Sequence, residues 1–204
     1  DTTSFKSTIY VNDIPKIVSS PSDIVNVNEK FSYQIEVVDN NQKHHINPKE
    51  APELSHAFVK KSGNMTLSDS SVVEWIPNES ELGWNEITLV VDDGVDKDFQ
   101  TFNIFVNSKP VLTLDDSLSI ELGDTLDYTI NVEDKNDEDT VQITYNGNLN
   151  LVIDNNNHSF RLTPESNNVG LNTVKLLASD GHPESVDTKE IKVLELWSKQ
   201  SLKK

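Results

Sequence analysis

Ile87–Gly94 reads Ile-Thr-Leu-Val-Val-Asp-Asp-Gly, and 87 residues later Val174–Gly181 reads Val-Lys-Leu-Leu-Ala-Ser-Asp-Gly. In each copy apolar residues alternate with others until the chain meets an Asp-Gly pair. Alternation with a period of two buries one face of a β-strand. Asp-Gly supplies a corner that accepts positive φ and leaves a carboxylate at the strand's end. The chain therefore reads as two copies of one module built around this strand.

The match extends outward in both directions. Tyr33 with Tyr128, Ile35 with Ile130 and Asp39 with Asp134 are each 95 residues apart. Further on, Pro77 with Pro164, Gly83 with Gly170, Asp93 with Asp180 and Ile104 with Ile191 are 87 apart. The difference, 95 − 87 = 8, predicts an insertion of 8 residues in the first copy between Asp39 and Trp75. A self-match of this length marks an array of like domains. Phe31, Tyr33, Ile35 and Val37 alternate with polar residues, as do Leu126, Tyr128, Ile130 and Val132. No stretch carries a 3.6-residue period of helix length, so each copy reads as several short strands in an all-β sandwich.

Ile9-Tyr-Val-Asn-Asp-Ile-Pro15 parallels Ile104-Phe-Val-Asn-Ser-Lys-Pro110, again at a spacing of 95. Residues 1–14 are accordingly expected to be the closing strand of a preceding repeat plus a linker. Repeat 1 is then 15–109 and repeat 2 is 110–196. The tail, 197–204, lacks the Asn-x-x-Pro pattern and breaks the array.

The 204 residues carry 34 acids against 17 bases, a formal net charge of −17, and no cysteine. Nucleic acid and anionic membranes need basic surface, so both are excluded as partners. A disulfide framework and thiol chemistry are excluded as well. The acidic balance favours solubility and cation binding. No run of 18 apolar residues could span a membrane. The chain opens Asp1-Thr-Thr, and the expectation is a fragment or processed form of a longer exported protein.

These residues together resemble the cadherin-like superfamily, most closely its dystroglycan-type branch of tandem Ig-like repeats, common in bacterial surface proteins. The resemblance rests on a Pro opening each repeat, Phe31-Ser-Tyr33 and Leu126-Asp-Tyr128, then Asp39 and Asp134. It continues through Trp75-Ile-Pro77 and Leu162-Thr-Pro164, Gly83 and Gly170, and Ala178-Ser-Asp-Gly181. It implies two tandem Ig-like or cadherin-like antiparallel β-sandwiches, an extracellular or cell-surface setting, and calcium between repeats. The departures are equally specific. The acidic Asp-Arg-Glu motif of vertebrate cadherins is replaced by Trp/Leu-x-Pro, and Lys109 stands where the family places an acidic linker.

Asp39 and Asn41 follow the second strand of repeat 1, and Asp134, Asn136, Asp137 and Asp139 follow that of repeat 2. Asp93 and Asp180 close the sixth strands. In a seven-stranded sandwich both loops reach the end where the linker enters, bringing Asn12 and Asp13, or Asn107, alongside them. Oxygen ligands from flexible loops suit Ca2+. Asp and Asn also cap their own backbone in turns, and both readings stand. Lys109 is a competing counter-charge for the carboxylates of repeat 2.

His44, His45 and His56 lack the spacing of a zinc site and read as solvated loop residues. Trp75 is expected at a sheet edge or in the core. Trp84 follows Gly83 where the chain turns into the sixth strand, and a partly exposed Trp there would suit stacking on a sugar ring. Glu79 and Glu81 do not suggest a cleft with paired acids, and no nucleophile elbow is present. The chain reads as a non-enzyme. Its expected role is a spacer, adhesive or protein-interaction region. The alternatives are a polysaccharide-binding accessory of a secreted enzyme and a subunit of an extracellular self-assembly. The partners expected are other repeats of the same chain and a protein or polysaccharide at a cell surface.

Overall fold

The computed structural model describes residues 4, 11–40, 54–183 and 185–196. The chain divides into two compact units, Asp1–Val106 and Asn107–Lys204. In the first, β1 (Lys16–Ile17), β2 (Ile24–Asn26), β3 (Phe31–Gln34) and β4 (Val37–Val38) are followed by β5 (Ser55–Lys60) and β6 (Thr66–Leu67). Then come β7 (Val72–Trp75), β8 (Gly83–Asp92) and β9 (Lys97–Asn107). They form a sheet ordered β2-β9-β8-β5, a sheet ordered β3-β7-β6 and the pair β1-β4. Phe31, Tyr33 and Trp75 from one sheet meet Ile87, Leu89 and Ile104 from the other in a single core, which makes the unit a β-sandwich.

The second unit repeats the plan with β10 (Val111–Thr113), β11 (Ser117–Glu121), β12 (Leu126–Thr129), β13 (Asn131–Glu133) and β14 (Gln142–Gly147). It is completed by β15 (Leu151–Asp154), β16 (Ser159–Leu162), β17 (Gly170–Ser179) and β18 (Val186–Leu196). Its sheets are ordered β11-β18-β17-β14 and β12-β16-β15, with the pair β10-β13. Taking β1 with β2, and β3 with β4, as interrupted strands gives the expected seven per unit. β11 runs parallel to β18, a departure from the antiparallel plan.

The interruption between β3 and β4 has a local cause that both units share. Ile35 buries its side chain and donates its N–H to the carbonyl of Ser71, a residue held at φ 62. Ile130 does the same toward His158, at φ 44. The strand breaks there, and its second half pairs with β1 in the first unit and, as β13, with β10 in the second. Gly94 and Gly181, at φ 87 and 89, make the Asp-Gly corners that the sequence predicts.

Strand register sharpens the repeat alignment. Ser55 sits opposite Asp92 and Gln142 opposite Ser179, so the spacing is already 87 at β5 and β14. The insertion in repeat 1 therefore falls between Asp39 and Ser55. Ile104 faces Asn85, whereas Val193, not Ile191, faces Asn172. The last strands are thus 89 apart, because the hairpin Asp180–Ser185 is two residues longer than Asp93–Asp96. Tyr33 and Tyr128 are equivalent, opposite Val73 and Phe160. Tyr33 is buried as expected, but Tyr128 is only half-buried. Its hydroxyl bonds to Asp115 at the surface, while that of Tyr33 meets Ser19 and Gln100 inside.

The strand expected at Ile9–Val11 lies outside the described residues except for Val11, which is exposed and belongs to no strand. Asn41, His44, His45 and the tail at 197–204 also lie outside them.

Candidate functional site

At the start of the second unit, Asp134, Asp139 and Asp180 each bring a carboxylate oxygen within 4.8 Å of the other two. Asp134 opens the loop after β13, Asp139 lies five residues on, and Asp180 opens the β17–β18 hairpin. Among the described residues this is the one such group of acidic or metal-ligating side chains.

Each loop folds locally by capping its own turn. Asp134 Oδ1 accepts the N–H of Asn136 at 2.9 Å, and Asp180 Oδ1 accepts that of His182 at 2.9 Å. The turn-residue reading is therefore correct for one oxygen of each aspartate. The second oxygens decide the chemistry. Asp180 Oδ2 accepts from the Asn107 amide at 3.0 Å and from the Ser185 hydroxyl. Asn107 is fully buried and also donates to Ser185 Oγ at 2.9 Å. The N–H of Ser108 runs to Asn136 Oδ1 at 2.6 Å, so the first residues of the unit are tied to both loops.

Asp134 Oδ2 is buried and meets no hydrogen-bond donor among the described residues. Asp139 Oδ2, also buried, faces His182 Nε2 at 3.4 Å, within ion-pair reach but short of hydrogen-bond geometry. Burial, followed by the charges of Asp180 and Asp139, pushes the Asp134 carboxyl above its ordinary range. The N–H of Asn136 and the imidazole of His182 oppose that rise without cancelling it. Concentrated carboxylates in a shielded corner favour either a proton or a hard cation.

The equivalent corner of the first unit is built differently. Asp93, 2% exposed, accepts the N–H groups of Val95 and Asp96 on Oδ1, at 2.8 and 2.7 Å. Asn12 donates to Asp93 Oδ2 at 3.0 Å and to Asp96 Oδ2 at 2.8 Å. Burial disfavours the charge on Asp93, but the donors of Asp96, Val95 and Asn12 outweigh it and lower the carboxyl's pKa. Asp39 is buried in the same unit without joining an acidic trio. Asp13 is exposed and accepts from the Asn40 amide.

Of the residues named from sequence, Asp134 and Asp180 come together, with Asn107 and Asn136 as their second layer. Asp137 does not join them: its side chain is exposed, and Asp139, two residues on, takes the place in the group. His182 and Ser185 escaped sequence reading because both lie in the lengthened hairpin, where repeat 1 has no counterpart. His56 is not in a loop but in β5, where burial lowers its pKa and Ser71 Oγ stands 3.3 Å from Nδ1. Trp75 is a core residue. Glu81 accepts the N–H and the side-chain amide of Asn78, capping a short 3-10 turn.

No protein-family model matches this chain, and neither does any curated protein. Solved structures do. Extracellular domains 3–5 of Drosophila OTK superpose over 90% of the chain with a TM-score of 0.62 at 9% identity. The N-terminal eight Ig domains of the Down Syndrome Cell Adhesion Molecule superpose over 89%, with a TM-score of 0.59 at 10% identity. The fold is immunoglobulin-like. An endo-fucoidan hydrolase of glycoside hydrolase family 107 aligns over 91% at 18% identity, but its TM-score of 0.37 bears on neither fold nor activity. The chain spans 62%, 25% and 29% of these three structures, respectively. At such identities the likeness is one of fold alone. Among the described residues no helix is long and apolar enough to cross a membrane.

Proposed function

We propose that this chain is a non-catalytic pair of Ig-like modules from a larger exported surface protein, serving as a spacer and interaction region, with Ca2+ bound at the acidic corner of the second module. The extracellular setting is supported by the strongly acidic composition and by the fold's likeness to extracellular domains. The cadherin-like assignment rests on the sequence motifs. Among the acidic side chains, Glu81 serves a turn, which argues against a glycosidase pair there.

The calcium reading is carried by Asp134, whose shielded Oδ2 has no donor among the described residues and whose carboxylate lies within 4.8 Å of two others. Asp134, Asp139 and Asp180 would hold the ion, and all three offer oxygen, which suits calcium rather than a softer metal. The bound charge would offset the burial that raises the Asp134 pKa and the repulsion from Asp180 and Asp139 that adds to it. By holding both loops it would also fix Asn107 and Ser108, which hang from them.

Thermal unfolding with millimolar calcium and then with chelator tests this. A ligand that binds only the native state stabilises it by about 2.7 kcal/mol at a hundredfold excess over its Kd. The expected result is a rise in the Tm of the second module that Asp134→Asn and Asp180→Asn each abolish. Magnesium should do much less, because it demands octahedral geometry. Equal Tm values at matched ionic strength overturn the calcium reading and leave His182 and a shared proton as the neutralising charges.

A further inference from the structure

The outer face of the β5-β8-β9 sheet in the first module has no role in the acidic corner. On β8, Ile87, Leu89 and Val91 point into the core, so Trp84, Glu86, Thr88, Val90 and Asp92 point out. On β9 their cross-strand partners are, in order, Phe105, Asn103, Thr101, Phe99 and Lys97. Trp84 is 69% exposed and packs edge-on to Phe105, with ring centroids 5.2 Å apart. Phe99 is 58% exposed beside Val90, and Ala57 of β5 extends that row. A bulge after Phe58 leaves Val59 exposed next to it.

The charges of this face cancel in place. Lys60 Nζ pairs with Glu86 at 2.8 Å, and Lys97 Nζ pairs with Asp92 at 2.8 Å. A chain with a net charge of −17 repels its own copies over most of its surface. Here two acids meet two bases, and the rest of the outer side of these three strands is apolar, hydroxyl or, at Asn103, amide. The equivalent face of the second module is built differently: exposed Leu171 and Leu194 stand for Trp84 and Phe105, Lys175 and Glu190 for Thr88 and Thr101, and Thr188 for Phe99.

We propose that this face binds a second copy of the same chain. The row pattern is self-complementary. A two-fold axis between the Glu86 and Thr88 rows lays the Trp84–Phe105 pair of one copy on the Val90–Phe99 row of the other. The same operation sets Thr88 and Thr101 against Glu86 and Asn103, so an isologous contact closes without opposing like charges. With strands about 4.8 Å apart and a rise of about 3.4 Å per residue, β8, β9 and the shorter β5 offer about 440 Å2 per copy. The total of roughly 900 Å2 lies in the range of weak, transient contacts and implies a weak dimer whose energy centres on the aromatic anchors. This inference is independent of calcium, because none of its residues touches the acidic corner.

Sedimentation equilibrium of the chain from about 10 μM to about 1 mM covers the range expected of such a contact. The expected result is a weight-average mass rising from 22.9 kDa toward twice that value. Added salt should strengthen association, since it screens the repulsion between two acidic molecules. Trp84→Asp and Phe99→Asp should each weaken it at least about tenfold. Leu171→Asp, at the position equivalent to Trp84 in the second module, should leave it unchanged. All three sites are exposed, so the variants should keep the parent Tm and calcium response, which separates loss of the contact from loss of the fold. A chain that stays monomeric throughout in high salt overturns the proposal, even if Trp84 fluorescence responds to an added oligosaccharide. So does a dimer that both aspartate variants leave intact.

Discussion

Asp93 and Asp180 occupy the same corner of the same fold and are capped alike, each accepting backbone N–H on one oxygen and an Asn amide on the other, yet the carboxylates beside them differ. Around Asp93 the surrounding groups are donors: two backbone N–H groups and the amide of Asn12, and the carboxyl's pKa falls. Around Asp180 the hairpin is two residues longer, Asp134 and Asp139 stand close by, and burial, followed by the charges of Asp180 and Asp139, raises the Asp134 pKa. One corner is complete as a neutral-donor cap. The other carries an unresolved excess of negative charge. A motif repeated twice thus serves as structure in one copy and as part of a candidate binding site in the other, and the difference lies in the neighbouring Asp134, whose second oxygen meets no donor among the described residues.

The sharpest way to break the comparison is Asp93→Asn. The new amide keeps the turn on its oxygen but points N–H groups at the donating nitrogen of Asn12. Leaving buried donors opposed costs about 1–3 kcal/mol each, and we expect a loss of about 2 kcal/mol in the first module, followed by Trp75 fluorescence during urea unfolding. Asp180→Asn creates the same clash with Asn107 but removes a charge from a crowded trio. Its cost should be smaller, about 1 kcal/mol. Equal losses at the two sites would mean that the carboxylates of the second corner do not repel one another.

Asp134→Asn should have the opposite sign. Its oxygen still caps the turn, while the unpartnered charge is gone. The expected outcome in chelator at neutral pH is a gain of less than about 1 kcal/mol, the usual size of a partly solvated charge interaction. Acidity separates the two corners further. The Asp134 pKa is raised, so its penalty on the native state grows as pH rises through that value and disappears on acidification toward 3.8. The advantage of Asp134→Asn over the parent should therefore vanish as pH falls. The Asp93 pKa is depressed, so its stabilisation is present above 3.8 and is lost as pH falls through the native-state value. The deficit of Asp93→Asn should shrink only below 3.8. Parallel pH profiles for the two variants would show that the corners are electrostatically alike. The smallest effect expected is that of Asp137→Asn, whose exposed side chain lies outside the trio. It should change stability by no more than about 0.5 kcal/mol and leave any calcium response intact.

The repeat, the strands and the Asp-Gly corners were legible because a half-buried strand writes its inward face into the sequence every second residue. Phe31, Tyr33, Ile87 and Leu89 announce their burial that way, and their counterparts in repeat 2 confirm the register. Sequence spacing also brought Asp134 and Asp180 to one end, since both terminate strands. It could not choose Asp139 over Asp137, because the direction of a loop side chain depends on which turn the loop adopts. Nor did it find His182, Ser185 or the true partner of Ile104. A hairpin longer by two residues shifts a pleated strand without altering its alternation, so Ile191 and Val193 fit the pattern equally well. Only the backbone pairing opposite Asn172 separated them. The charge state of each corner belongs to the same class of question. The aspartates are in the sequence, but which further carboxylates stand beside the capped one is decided by tertiary contacts between segments some 40 to 80 residues apart.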